Sequence, residues 1–181
     1  MANIWFTSDL HFGHKSIQKF RLEVTSEEEN RARIIADWDK LVSKRDIVYL
    51  LGDVAFSMDT LEYMGTLAGR KFLVRGNHDE FDTQVYLKYF DAVYGLKKFK
   101  EFWLSHAPIH PDELRGKINL HGHVHYQDIQ HEVEIETGIG VLTESALDPR
   151  YFNMCVESLW KRGYPSLISL DQIRNLIKTN Q

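Results

Sequence analysis

A short apolar run, Ile4 to Phe6, ends in the polar stretch TSDLHFGH, which reads as a buried strand running into a loop. The next segment, TSEEENRARIIADWDKLVSK, changes period. Ile34, Ile35, Trp38, Leu41 and Val42 recur at helical spacing. Thr25 and Ser26, followed three residues on by Glu28 and Glu29, supply a capping-box start for that helix. DIVYLLGD has five apolar residues in a row and no polar face, as a strand buried on both sides requires. DTLEYMGTLAG reads as a helix closed by Gly69, KFLVRGNHD as a third strand, and EFDTQVYLKYF as a third helix.

Three alternations of strand and helix imply a layered α/β fold that begins with a parallel sheet. After about residue 92 the pattern shifts to short strands. AVYGLKKFKEFWLSH, KINLHGHVH, IQHEVEIE and YFNMCVESL all read as extended, so a second sheet packed on the first is expected. The tail SLDQIRNLI returns to a helix, with Ser169 as N-cap and Gln172 in the capping-box position. The stretch from Asp128 to Asp148 reads as a hairpin or long loop, with Ile129, His131, Val133 and Ile135 alternating. There is no repeat or linker, and a single domain over residues 1–181 is expected.

Composition narrows the class. Hydrophobic residues at 43% support a packed core, and a formal charge of −4 argues against a protein that lives on long-range attraction to nucleic acid. Nucleic acid stays possible through local groups such as Lys97, Lys98 and Lys100, but charge does not point to it. The lone Cys155 has no internal partner, no secretory pattern opens MANIWFTSDL, and no run approaches the ~20 apolar residues of a membrane helix. A cytoplasmic protein without a membrane role is the expectation, its oligomeric state open.

The polar residues at the strand ends change the picture more. The first strand ends at Asp9 and His11, the second at Asp53, the third at Asn77, His78 and Asp79. Later runs end at His106 and at His123 and His125. Ligands of open α/β sheets bind at the carboxyl ends of strands. A set of Asp, Asn and His without Cys suits Mn, Zn, Fe, Ni or Mg. An extended segment would point Asp9 and His11 the same way. Asp9, His11, Asp53, Asn77, His106, His123 and His125 are more donors than one ion uses. Two ions sharing a carboxylate, ~3.5–4 Å apart, use them economically. Singly, Asp9 and Asp53 equally suit helix caps, and Asn77 a left-handed turn. Five histidines at strand ends have no such explanation.

The ordered blocks SDLH, LGDV, RGNHD, SHAP and HGHVH, from Asp9 to His125, resemble the signature of the calcineurin-like metallophosphoesterases. DLHFGH and YFNMCVE are similar to its small bacterial and phage-type members. The resemblance implies a four-layer α/β/β/α sandwich of two mixed sheets flanked by helices. It implies a first ion, most simply Mn, on Asp9, His11, Asp53 and His125, and a second on the shared Asp53 with Asn77, His106 and His123. A hydroxide would attack phosphorus in line. His78 would assist the leaving group, oriented by Asp79, while Arg75 would more loosely meet the phosphate oxygens. His14, one turn past the first block, reads at least as readily as an exposed histidine as a phosphate contact. Gly52, Gly76 and Gly122 would let the turns approach the ions.

A small phosphoester or nucleotide-type substrate follows, a diester by analogy with small members. The alternatives are a phosphomonoesterase or protein phosphatase, and a non-catalytic metal-binding scaffold. His110 and His131 read as surface or loop residues, and His121 is not expected to be a ligand. Cys155 reads as a small buried residue, and Trp5, Phe6, Tyr49, Phe102 and Trp103 as core. Glu80 is expected in the first turn of the following helix.

Overall fold

The computed structural model describes residues 2–138 and 140–179. The chain begins with β1 (Ile4–Thr7), a 3-10 turn at Ile17–Lys19, α1 (Glu27–Leu41), β2 (Ile47–Leu50), α2 (Met58–Leu61) and α3 (Tyr63–Thr66). Next come β3 (Arg70–Val74), α4 (Thr83–Tyr86), β4 (Ala92–Tyr94), β5 (Lys97–Phe99) and β6 (Phe102–Leu104). A second 3-10 turn at Pro111–Glu113 leads to β7 (Ile118–His121), β8 (Gln130–Thr137), β9 (Gly140–Leu147) and β10 (Tyr151–Asn153). α5 (Val156–Lys161), β11 (Ile168–Ser169) and α6 (Leu170–Thr179) complete it.

The first sheet has the order β11-β1-β2-β3-β4, with β1 to β4 parallel and β11 antiparallel at the edge. The second has the order β10-β7-β6-β5, parallel except for β5. Both sheets are therefore mixed, with helices packed against them, in keeping with the fold the resemblance implied. The chain changes sheet at Gly95 and Leu96, between β4 and β5. β8 and β9 form a separate antiparallel hairpin, resolving the uncertain 128–148 stretch.

Both faces of the first sheet are covered, which explains its unbroken apolar runs. Trp5, Val48, Leu50 and Leu73 face a core made with Ile34, Trp38, Leu61, Met64 and Tyr86. The alternate positions Phe6, Tyr49, Leu51 and Val74 face Phe102, Leu104, Leu120 and Phe152 of the second sheet, with Ile173 of α6 among them. Each fully buried Phe or Leu contributes ~1.5–3 kcal/mol of transfer free energy. Beyond the second sheet the covering layer is thin. The Trp103 indole donates to the carbonyl of Leu114, and the Asn119 side chain accepts from the amide of Ile109.

Several elements differ from their sequence expectation. The helix expected over residues 59–69 is the two short helices α2 and α3, and that expected over 80–90 is only α4, so Glu80 precedes its helix. YFNMCVESL is a strand only at Tyr151–Asn153 and becomes α5 from Val156. An apolar run buried on every side has no polar phase to distinguish strand from helix. The Asn153 side chain turns the chain there by accepting from the amide of Cys155. The capping signals hold. Ser26 accepts from the amide of Glu29, whose carboxylate reaches back to Thr25. Ser169 and Gln172 satisfy one another's amides at α6. Among the described residues no helix is long and apolar enough to cross a membrane.

Candidate metal centre

Register brings the strand ends together. Thr7 of β1 pairs with Leu50, and Leu50 with Leu73, so the loops after β1, β2 and β3 leave the sheet side by side. In the second sheet Leu104 pairs with Leu120. Within the first set, backbone bonds run from Asp9 to the carbonyl of Gly52 (2.9 Å) and from His11 to that of Asp53 (3.0 Å), and within the second from Gly122 to that of His106 (2.8 Å). The amide of His123 donates across to Oδ2 of Asp9 (3.0 Å).

Asp9 and His11 do not reach a common point from an extended segment. Both have positive φ, and so do Asp53, His123 and His125; these are five of the seven such non-glycine residues among the described residues. Such conformations cost of order 1 kcal/mol or more each and persist where surrounding structure imposes them, commonly at functional sites. Two glycines complete the turns. Gly52 has φ +97°, and a Cβ there would lie 2.4 Å from Nδ1 of His106. A Cβ on Gly122 would lie 2.0 Å from Oγ of Ser8 and 2.3 Å from Oδ2 of Asp9.

All seven expected ligands converge. Nε2 of His11 lies 3.5 Å from Oδ1 of Asp9 and 3.8 Å from Oδ2 of Asp53. The same Oδ2 is 3.5 Å from Nε2 of His106. Oδ1 of Asn77 lies 2.8 Å from Nε2 of His106 and 3.0 Å from Nδ1 of His123. Asp9, His11 and His125 form one group whose donor atoms could hold an ion, and Asp9, Asp53 and His106 another. Buried polar atoms are nearly always partnered. Oδ1 of Asp9 and both ring nitrogens of His11 are buried without a hydrogen bond. A cation among these donors would satisfy them, so the residues fit a metal centre.

The surroundings hold the donors in their ionised or neutral forms. Burial opposes ionisation of Asp9, but the close approach of His11, whose Nε2 lies 3.5 Å from Oδ1, the charges of His11 and His106, and the Ser8 hydroxyl hold its carboxyl well below the usual range. Burial lowers the imidazole of His11, favouring the neutral ligand form, despite the carboxylate of Asp9. His106 is fixed through Nδ1 on the carbonyl of Leu51 (2.7 Å), which leaves Nε2 for the centre. The His125 imidazole is raised, chiefly by the hydrogen bond from its Nδ1 to Glu157.

That last contact belongs to a network that sequence reasoning missed. Arg21 is fully buried and donates to Glu157, to the side chain of Asn30, and to the carbonyls of Leu10 and Asp9. It thus ties the first ligand's backbone to the carboxylate behind His125. YFNMCVE contained Glu157, but nothing in the spacing of Arg21 distinguished it from a surface loop residue. Cys155 is buried as expected, yet it has a polar partner: its thiol donates to Oδ2 of Asp9 at 3.1 Å. Burial, reinforced by the Asp9 charge, pushes that thiol well up.

The remaining expected residues divide. His78 is exposed at the centre's edge, its ring 5.8 Å from that of His11 and its amide donating to Oδ1 of Asp53 (2.9 Å). His14 lies beside His11 with ring centroids 6.0 Å apart. Asp79 was expected to orient His78. No hydrogen bond joins it to that ring among the described residues; its carboxylate accepts from the amides of Asp53, Val54 and Gly76. Those three amides turn toward the buried carboxylate, so Asp79 shapes the loop that carries Asp53. Arg75 likewise donates to the carbonyls of Asp79 (2.6 Å) and Phe81 (2.7 Å) and lies over the Tyr86 ring, closing the turn instead of reaching into the cluster. His121 is buried on the carbonyl of Gly122 and lowered by burial to about 4, apart from the donor groups. His110 is exposed and caps the Pro111–Glu113 turn.

A sequence model of the calcineurin-like phosphoesterases matches residues 2–174. The chain is 32% identical to the Gene 66 protein of Mycobacterium phage L5, over 77% of this chain and 87% of that one. It is also 32% identical to an uncharacterized protein of Methanocaldococcus jannaschii, over 69% of this chain and 70% of that one. Among solved structures, a protein of unknown function from Aquifex aeolicus superposes with a TM-score of 0.69 at 26% identity, covering 97% of this chain and all of the other.

Proposed function

Because the chain belongs to the calcineurin-like phosphoesterases, a family of metal-dependent phosphoester hydrolases, we propose that it is a two-metal phosphodiesterase. Asp9, His11, Asp53 and His125 would hold one ion, and Asp53, Asn77, His106 and His123 the other. The observation that carries this reading is the position of Asp53. Its Oδ2 lies within 3.8 Å of Nε2 of His11 and 3.5 Å of Nε2 of His106, between the two halves of the donor set. When bound, two divalent cations, Mn foremost with Zn, Fe, Ni or Mg as rivals, lower the pKa of a coordinated water towards ~7 and neutralise charge on the phosphoryl oxygens.

The chain's own part is positioning and proton transfer. Glu157 holds Nδ1 of His125, which directs its Nε2 at the centre and fixes the tautomer. His78 remains outside the donor set, exposed and anchored through its amide, with an imidazole free to give a proton to the departing ester oxygen. A small phosphoester in the reducing cytoplasm is the substrate this reading favours. The test is a metal and substrate panel. Protein prepared without chelator should carry up to two divalent ions and hydrolyse an aryl phosphodiester faster than the aryl monoester with Mn. Asp53→Asn should lose metal and turnover together. Full turnover in Asp53→Asn, or a protein that Mn does not activate, refutes the reading.

A further inference from the structure

Large apolar side chains exposed at the mouth of a charged centre call for a reason. Phe20 is 60% exposed and Phe56 40% exposed, and both stand beside the donor cluster. With Ile17 and His14 they wall a hollow of about 200 Å³ that opens onto His11, His78 and His125. No Lys, Arg, Asp or Glu side chain lines it among the described residues.

The rings are arranged as a cradle. Phe56 lies 5.1 Å from the His78 ring at 34°, and 5.4 Å from the His11 ring at 30°. His14 stands edge-on to both phenylalanines, 5.0 Å from Phe56 at 86° and 5.5 Å from Phe20 at 81°. The amide of Ser16 donates to Nδ1 of His14 (3.3 Å) and steadies its ring. The hollow is below the ~300–1,000 Å³ of a drug-sized pocket, which limits it to one ring system. The presence of His78 puts the hollow on the side of the departing group.

We infer that Phe20 and Phe56 form a stacking subsite for a planar aromatic ring, a nucleobase or simple aryl group, on the leaving side of the scissile phosphoester. The inference rests on the two-metal phosphoesterase reading for the position of phosphorus. Aromatic faces accept any base through its π-face, so the subsite selects for a ring without reading which base it is. A compact alkyl alcohol would leave the phenyl faces in water and gain nothing from them.

The test is calorimetric binding in Mn, with AMP and ribose 5-phosphate as probes that differ only in the base, and phenyl phosphate against methyl phosphate as the aryl arm. AMP should bind about 5- to 150-fold tighter than ribose 5-phosphate, the ratio that ~1–3 kcal/mol of stacking corresponds to at 1.4 kcal/mol per tenfold. In Phe20→Leu/Phe56→Leu the ratio should fall towards one, while Phe56→Trp, which keeps a ring, should preserve it. Metal stoichiometry of each variant reports whether the centre is intact. A phenyl phosphate preference without an AMP preference identifies an aryl ligand and still supports the subsite. Equal binding within both pairs in the wild type, or a ratio that survives the double substitution, overturns it. Because binding is read without turnover, absence of hydrolysis would refute the catalytic reading and leave the subsite standing.

Discussion

Arg21→Met isolates the buried network behind the metal centre. Arg21 is fully buried, and methionine replaces much of its aliphatic stem, so the packing loss is small and the polar loss dominates. The substitution removes donors at 3.0 Å to Oε2 of Glu157 and at 2.7 Å to the Asn30 side chain, and the donor to the carbonyl of Asp9. Leu10 keeps a partner, because Nδ2 of Asn30 also donates to its carbonyl at 3.1 Å. The main cost is the Glu157 carboxylate, buried and left with His125 as its remaining side-chain hydrogen-bond partner among the described residues. Breaking a buried ion pair from one side costs ~3–5 kcal/mol. At ~2–4 °C per kcal/mol for a chain of this size, the melting temperature should fall by about 6–20 °C. The assay is urea and thermal unfolding in EDTA, so that metal binding does not add to the measured stability. Glu157→Gln placed on top of Arg21→Met should recover part of the loss, since it removes the uncompensated charge. A loss below ~1 kcal/mol for Arg21→Met, or no recovery in the double variant, refutes the reasoning.

Gly122→Ala should lower metal content by moving Asp9, because the new methyl would lie 2.3 Å from its Oδ2, and overpacking should cost ~1–3 kcal/mol; a fully metallated variant of wild-type stability counts against this. His78→Ala should keep both ions yet lose ~10²–10⁴-fold in turnover, most for poor leaving groups, and equal kinetics in a steady-state assay would end its role. Asp46 gives a pH prediction. Burial opposes its ionisation, but the amides of Ser43 and Asn3 and the Trp5 indole hold its carboxyl below the usual value. The depressed folded value means that its stabilisation is present above an unfolded pKa of ~3.9 and is lost as pH falls through the folded one. The stability gap between wild type and Asp46→Asn, ~1–3 kcal/mol at pH 6, should therefore hold down to about the unfolded pKa of ~3.9 and shrink only as denaturation is repeated below it.

Legibility of the site followed the kind of signal each residue carried. His106, His123 and His125 could be picked out because a polar donor directly after an apolar strand is a local pattern. The same holds for Asp53 and Asn77, and all five lie in the cluster. Asp79 carried the same local signal, and its three backbone donors come from two different loops that the chain spacing does not reveal. Phe56 and Phe20 carry no local signal in the sequence; their exposure marks them, Phe56 beside His11 and His78 and Phe20 beside His14.

The amino-acid order by itself determined the β-α alternation of the first half, the capping of α1 and α6, and the donor chemistry at the strand ends. These are consequences of local period, local hydrogen bonding and side-chain type, which neighbours in the chain dictate. The tertiary structure decided the left-handed turns at Asp9, His11, Asp53, His123 and His125, the placing of the Asp53 carboxylate between His11 and His106, and the burial of Arg21 against Glu157 across 136 positions of chain. Each depends on loops from two sheets meeting at one edge. A backbone conformation that is costly alone, or a charge that is costly when buried, is held in place only by partners that folding brings from elsewhere.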